Sequence, residues 1–351
     1  MELVFHPNWW YRNYGIRFDR SFYFDRERRI RDDVIMRRTL YDRFGDLGMG
    51  EPDPQPRPVV GSMYVAGGFV VPALLGADVV FRDDQAPWPR PVEMPDAQIM
   101  ALESPDIEAT SPMRELIADM DLLEAEYGAL LGDCDTDGVL NTALCLRGQR
   151  LFLDFRQNPE LVHHLFAVIA ETQMRVAGYF RGRTGSCAIA TNRIVERIDA
   201  RTYLHSNCSV QMISPGDYER FVLPYERRLA ERLQPYGIHH CGHNMHLFAG
   251  RYAQTPASLF DIGWGSDVAA CREALLSSFF SLRLSPVRML QCTPDEIAAD
   301  TETLLSRAGP VDQTALCCIN MDYGTPDTNI RAMYEVVQRY RGRASEVTLE
   351  T

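Results

Sequence analysis

Short apolar runs alternate with amphipathic stretches through the second half of the chain. The runs are Gly237–Cys241, Leu259–Trp264, Phe279–Leu284 and Thr314–Ile319. Their length suits strands of a parallel sheet covered on both faces. Between them, helix starts are signalled by a capping residue followed by proline, whose missing N–H costs nothing in a first turn. Asn158-Pro159-Glu160 predicts a helix to about Tyr179, and Ser214-Pro215 one to about Leu233. Thr293-Pro294-Asp295-Glu296 adds a capping-box pattern to a helix reaching about Arg307, and Thr325-Pro326 opens a last one to about Tyr340. Each helix-plus-strand unit takes roughly 25–35 residues, the length of a βα unit. No strand pair shows a two-residue hairpin turn. The alternation predicts an α/β fold. Periodicity alone leaves barrel and open sheet both open, but no glycine-rich phosphate fingerprint follows the first strand, which weighs against a dinucleotide-binding open sheet.

The N-terminal stretch departs from this rhythm. Residues 1–45 carry ten arginines interleaved with aromatics, as in RFDRSFYFDRERRIRDD. They read either as a helical cap whose arginines pair with nearby carboxylates, or as a docking surface or lid over an anionic ligand. Four prolines in residues 51–58 predict an extended connector. The expected organisation is a cap or extension over 1–58 and one barrel over 59–351, since 351 residues suit a single α/β barrel. The apolar stretch Val59–Phe81 is interrupted by glycines and Pro72, so it reads as buried strand, turn and helix rather than a membrane span of ~20 apolar residues.

Charge and cysteine use narrow the function classes. A formal net charge of −12 makes nucleic acid and membrane surfaces poor partners. Nine cysteines, with no basic start and apolar leader before them, read as reduced thiols of a cytoplasmic protein.

In a parallel barrel the chemistry gathers at the C-terminal strand ends. There the chain places His239, His240 and Cys241; then Trp264 and Asp267; then Arg283 and Ser285; then Cys317, Cys318 and Asn320. Period-two alternation turns His239 and Cys241 to one side and His240 to the other. An imidazole and a thiolate together supply two ligands of a zinc site, and a catalytic zinc needs a third ligand and one open position. Either Cys317 or Cys318 is the expected third, with Cys318 preferred from its spacing to Thr325-Pro326 and Cys317 turned outward. A helical course over 239–246 would instead gather His239, His243 and His246 on one face. Asp267 is a helix N-cap or a carboxylate that holds a metal-ligating imidazole. Asn207, in the polar run Leu204–Ser209, holds substrate or helps cap the following helix, and Arg283 faces the pocket. Glu196 and Asp199 fit a salt-bridged surface strand. Asp133, Asp135 and Asp137 have calcium-loop spacing but lack the terminal Glu.

At these residues the chain resembles the uroporphyrinogen decarboxylase superfamily over nearly its whole length past residue 60. The matching segments are Gly76–Phe81 with Ala86-Pro87-Trp88, Asn141–Leu144 with Leu146-Arg147-Gly148, and Asn158–Val162. Ile213–Tyr218, Leu223-Pro224-Tyr225, His239–Gly242, Thr293–Glu296 and Gly324–Asp327 with Asn329–Met333 follow in order. The resemblance implies a single (β/α)₈ TIM barrel. The Arg-rich MRQAGRY-type motif of the true decarboxylases is not found. The methyltransferase branch, with its His-x-Cys plus distant Cys, is the better match, and it implies Zn²⁺ on His239, Cys241 and Cys318. It also implies methyl transfer between a corrinoid, on a partner protein or as methylcobalamin, and a thiol such as coenzyme M or another small-molecule donor or acceptor. The N-terminal region would be the docking surface for the corrinoid protein, and a homodimer is compatible with this reading. Two other readings stand beside it. One is a metal-free decarboxylase or lyase acting through Asp267, Arg283 or Arg147. The other is a non-catalytic partner in a corrinoid pathway.

Overall fold

The computed structural model describes residues 2–61, 68–187 and 198–349. Its strands among those residues are β1 (Glu2–Phe5), β2 (Val79–Arg82), β3 (Gln85–Pro89), β4 (Tyr203–Ser206), β5 (Tyr236–His240), β6 (Ala257–Ile262), β7 (Phe279–Arg283) and β8 (Thr314–Met321). Six of them form one parallel sheet in the order β1-β8-β7-β6-β5-β4. Beyond β4, the segment before residue 138 packs against this edge of the sheet. Thr136 Oγ1 lies 2.7 Å from Tyr203 OH, Val59 pairs in parallel with Leu131, and a Cβ at Gly138 would fall 1.8 Å from Ser206 O. The fold is the expected α/β barrel.

The helices start where the capping signals placed them. They span Pro159–Thr184, Pro294–Arg307 and Asp327–Leu349, and Thr293 and Glu296 form the full capping box. The helix opened by Ser214 is less regular: a π-turn over Tyr218–Val222 precedes Leu223–Arg232, next to Pro224, which has no N–H for the regular ladder.

Two features differ from the sequence reading. β2 and β3 form an antiparallel hairpin closed by the two residues Asp83 and Asp84, where none was expected. Asp-Asp lacks the glycine that marks such turns most strongly. The first strand lies inside the segment expected to be an extension, yet β1 pairs with β8 inside the barrel sheet. Four residues are too few for alternation to show. Leu3 and Phe5 are buried there. Phe5 stacks on Trp9 at 4.1 Å and on Phe44 at 5.8 Å, which fixes the following helices to the barrel. Glu196 falls outside the described residues. Asp199 accepts from the Arg201 backbone N–H in a turn before β4, not on a strand.

Most of the N-terminal arginines pair with carboxylates of the chain. Arg28 pairs with Asp19 and Asp32, Arg38 with Asp42, and Arg43 with Asp327 on the last helix. The connector 51–58 is extended and held by Arg37, which reaches Gln55 O at 2.6 Å and Glu51 at 2.5 Å. Arg29 is fully buried and donates to Val59 O at 2.8 Å, to Tyr23 O at 2.9 Å and to Asp119. It ties the N-terminal helices to the start of the barrel and to a helix, Met113–Tyr127, that follows. Truncating one partner of such a pair strands a buried charge. Arg29→Ala is therefore expected to lose about 3–5 kcal/mol of stability in urea unfolding. A loss under about 1 kcal/mol, the value of an exposed pair, would show that Arg29 does not anchor the region.

Candidate metal centre

Three strand ends meet at the mouth of the barrel. β5 turns His239 inward and His240 outward, where His240 bonds Tyr252 OH at 2.7 Å and Asn244 at 3.0 Å. Cys241 follows on the inward side, as alternation requires. Cys208 arrives from the turn after β4. The ligand atoms of Cys208, His239 and Cys241 all lie within 4.8 Å of one another. Asn207 N–H donates to His239 O at 2.6 Å, which extends the β4–β5 ladder to the residue just before Cys208. On the far side, the Cys241 backbone rests against β6's end: a Cβ at Gly263 would fall 2.3 Å from Gly242 O and 2.5 Å from Cys241 C. Only glycine leaves room for that approach.

Below the group lies a buried chain of charges. His239 Nδ1 meets Asp261 Oδ2 at 2.5 Å, and Arg283 Nε lies 2.7 Å from both oxygens of Asp261. Register sets this up, because His239 is level with Asp261 across β5 and β6. Burial raises the cost of the Asp261 charge, but Arg283 and His239 outweigh it and hold the carboxyl well below the usual range. Burial and Arg283 also work against a charge on His239, and Asp261 overcomes them, so the imidazole pKa sits above its ordinary value. With Nδ1 engaged, Nε2 is the nitrogen left for a ligand. The two sulfurs divide their roles. Hydrogen bonding from Cys208, against burial, and the proximity of His239 and Arg283 draw the Cys241 thiol down. Its partnership with Cys241 and burial push Cys208 up. Between the two sulfurs, the surroundings favour the negative charge at Cys241.

The arrangement does not bring the expected third residue, Cys318, to His239 and Cys241. β8 runs on to Met321, so Cys317 and Cys318 lie within the strand, with Cys317 level with Arg283 of β7. Cys318 is packed in the hydrophobic core, and it is Cys317 that shares the inner layer, 3.5 Å from Ser281 Oγ and 3.8 Å from Asp261 Oδ1. Neither joins the group; Cys208 takes that place. Asp267 is exposed and caps the helix Val268–Ala274 by accepting from Ala270 N–H, while the carboxylate on the imidazole is Asp261. Arg283 does not present its guanidinium to an open pocket but spends it on Asp261. Residues 239–246 do not form one helix: His240 ends β5, and His246 lies in a 3₁₀ turn and accepts from Asp267 N–H. Asp261 had a signal in the sequence, since a carboxylate inside the apolar run Leu259–Trp264 must be paired if buried.

Asn207 points away from the mouth. Its Nδ2 donates to Glu226 Oε1 at 2.6 Å, and Tyr218 OH donates to Oε2 at 2.5 Å. Glu226 is fully buried in the helix layer behind β4, and burial lifts its carboxyl to about 7 in spite of both hydrogen bonds.

The described residues thus combine a parallel α/β sheet with a Cys–His–Cys group at its C-terminal strand ends. The uroporphyrinogen decarboxylase (URO-D) family model matches residues 62–340, and the chain belongs to that family. A uroporphyrinogen decarboxylase from Synechococcus sp. (strain JA-3-3Ab) is 26% identical over 133 residues, which span 36% of this chain and 36% of that protein. A methyltransferase from Methanosarcina mazei shares the fold with a TM-score of 0.67 at 11% identity, over 97% of this chain and 94% of its own. Among the described residues no helix is long and apolar enough to cross a membrane.

The raised Glu226 pKa fixes a pH dependence. A carboxyl with a raised pKa in the folded state keeps its proton there after the unfolded chain has lost it, so its stabilisation is full below the unfolded value and fades as pH rises through about 7. Between about pH 4 and pH 8 the loss amounts to roughly 3 kcal/mol. Glu226→Gln is expected to remove that part of the decline in denaturant unfolding at stepped pH. An unchanged slope in the variant would show that Glu226 ionises freely.

Proposed function

We propose that this protein is a zinc-dependent methyltransferase that moves a methyl group from a methylated corrinoid to a thiol. The observation that supports it most is the Cys208–His239–Cys241 group at the mouth of the barrel. Two sulfurs and one imidazole are the donors zinc favours, and three protein ligands leave the open position of a catalytic site. When bound, the ion supplies a Lewis acid that lowers the pKa of a substrate thiol, so that thiolate exists at neutral pH. The chain's own residues do the rest. His239 and Arg283 draw the Cys241 thiol down, which favours it as a thiolate ligand. Asp261 fixes the His239 tautomer and ring orientation, and Arg283 keeps Asp261 charged. The methyl donor is a methylcobamide, free or carried on a separate corrinoid protein. The fold shared with a methyltransferase from Methanosarcina mazei agrees with this reading.

The similarity to a uroporphyrinogen decarboxylase favours a second reading, a metal-free decarboxylase. Its candidate groups are otherwise committed. Arg283 is paired with Asp261, Arg147 with Asp154 and Asp96, and Asp267 caps a helix.

Purified protein is expected to hold about one zinc per chain by elemental analysis. Cys208→Ser and Cys241→Ser should each lose most of it, while Cys318→Ser, altering a core side chain, should keep it. Zinc below about 0.2 per chain, unchanged by Cys241→Ser, would overturn the metal reading. Asp261→Asn should weaken zinc binding about 10–100-fold in chelator competition, and an unchanged affinity would remove Asp261 from the account. Demethylation of methylcobalamin by a thiol, followed by its visible spectrum, should stop in Cys241→Ser. Turnover of a porphyrinogen carboxylate by metal-free protein would favour the decarboxylase instead.

A further inference from the structure

Cys208 lies beyond the last residue of β4, in a turn, so the sheet ladder holds its neighbour Asn207 but not Cys208 itself. Within the turn, Val210 N–H donates to Asn207 O and Gln211 Nε2 to Cys208 O, both at 3.4 Å, and one amide side chain reaches it from another element. Asn141, in the first turn of the helix Val139–Arg147, accepts from Ser209 N–H through Oδ1 at 2.8 Å. Its Nδ2 donates to Ser206 O at 3.1 Å and to Asp137 Oδ1 at 2.6 Å. The contacts bracket Cys208 on both sides, and all of the amide's partners are identified. The orientation is fixed by chemistry, because Ser209 N–H can only donate and Ser206 O can only accept.

The segment leading to Asn141 is built against the same turn. Gly138 packs directly on the Ser206 carbonyl, with no room for a side chain. Asp137 adopts φ 60°, a left-handed conformation that is uncommon for a residue with a Cβ, and Asp135 Oδ1 fixes it by accepting from its N–H at 2.8 Å. That conformation delivers the carboxylate that orients the Asn141 amide. A side chain that only supported its own helix would need neither Ser209 N–H nor Ser206 O, which lie on a different element of the barrel.

We infer that Asn141, oriented by Asp137, is the positioning residue that holds the Cys208 sulfur within reach of His239 and Cys241. The inference rests on the metal-centre reading above. Asn141 touches neither metal nor substrate and acts through the backbone on either side of Cys208. The proposal adds a reason why a cysteine on a turn can serve as a ligand in place of one on a rigid strand.

Cobalt(II) is the probe, because sulfur-to-cobalt charge-transfer absorption reports how many thiolates bind. In the full-length protein loaded with cobalt, Asn141→Leu keeps the shape but removes every hydrogen bond. It is expected to reduce that absorption toward the level of Cys208→Ser and to weaken cobalt binding about tenfold or more. Combining Asn141→Leu with Cys208→Ser should cause little further loss, since both act on one ligand.

Wild-type absorption and affinity in Asn141→Leu, with Cys208→Ser impaired, would overturn the positioning role and leave the metal centre standing. Wild-type behaviour in Cys208→Ser itself would remove Cys208 as a ligand, and the reading beneath the proposal with it. If Asn141→Leu does not fold, Asp137→Gly carries the test: it removes the acceptor for Asn141 Nδ2 and suits the left-handed backbone, so it should lower the absorption, and an unchanged spectrum would overturn the proposal.

Discussion

Asp261 is a carboxylate inside a barrel of apolar strands, and such a charge survives only if both of its oxygens are paired. Arg283 from β7 and His239 from β5 do this from opposite sides, within 2.7 Å or less. The pairing has a direction. It fixes Nδ1 of the imidazole below the mouth and leaves Nε2 on the side where Cys241 and Cys208 gather. It also places a fixed positive charge beneath two sulfurs, which favours thiolate at Cys241. Replacing Asp261 or Arg283 would strand the other and release the ring. The strand register, the buried charges and the ligand geometry therefore stand or fall together.

The periphery serves the same end with weaker means. Gly263 lets the end of β6 come within contact of the Cys241 backbone, and Gly138 does the same for Ser206 beside Cys208. Behind the strands, Glu226 holds Asn207 while Tyr252 holds His240, so the outward residue next to each ligand is fixed in the helix layer. At the N-terminus, β1 joins β8 and most of the arginines, among them Arg28, Arg29 and Arg37, pair with carboxylates. Their engagement leaves less free cationic surface for docking than the composition alone suggested.

The parts legible in the sequence were those set by local rules. Capping residues before prolines marked the helices, short apolar runs marked β5 to β8, and period two placed His239 and Cys241 on one face. The parts that were not legible depend on where different strands end. Distance to the next helix does not decide between Cys317 and Cys318, because it does not show which of them faces the inner layer, and it is Cys317 that meets Ser281 and Asp261 there. Cys208 carried no pattern, since it lies in a turn whose course is set by Asn141 from a distant helix. Asp261 was visible as a charge in an apolar strand, but its partners come from neighbouring strands whose register the sequence does not display. The hairpin of β2 and β3 was missed because Asp83-Asp84 lacks the usual turn glycine.

X-ray absorption at the zinc edge of the purified protein tests the central claim most directly. Two sulfurs at about 2.3 Å and one imidazole nitrogen at about 2.0 Å, with one further light-atom ligand, are expected. A shell of three sulfurs would bring a cysteine of β8 back into the site and contradict the geometry, and a shell of oxygen and nitrogen alone would contradict the Cys–His–Cys centre altogether.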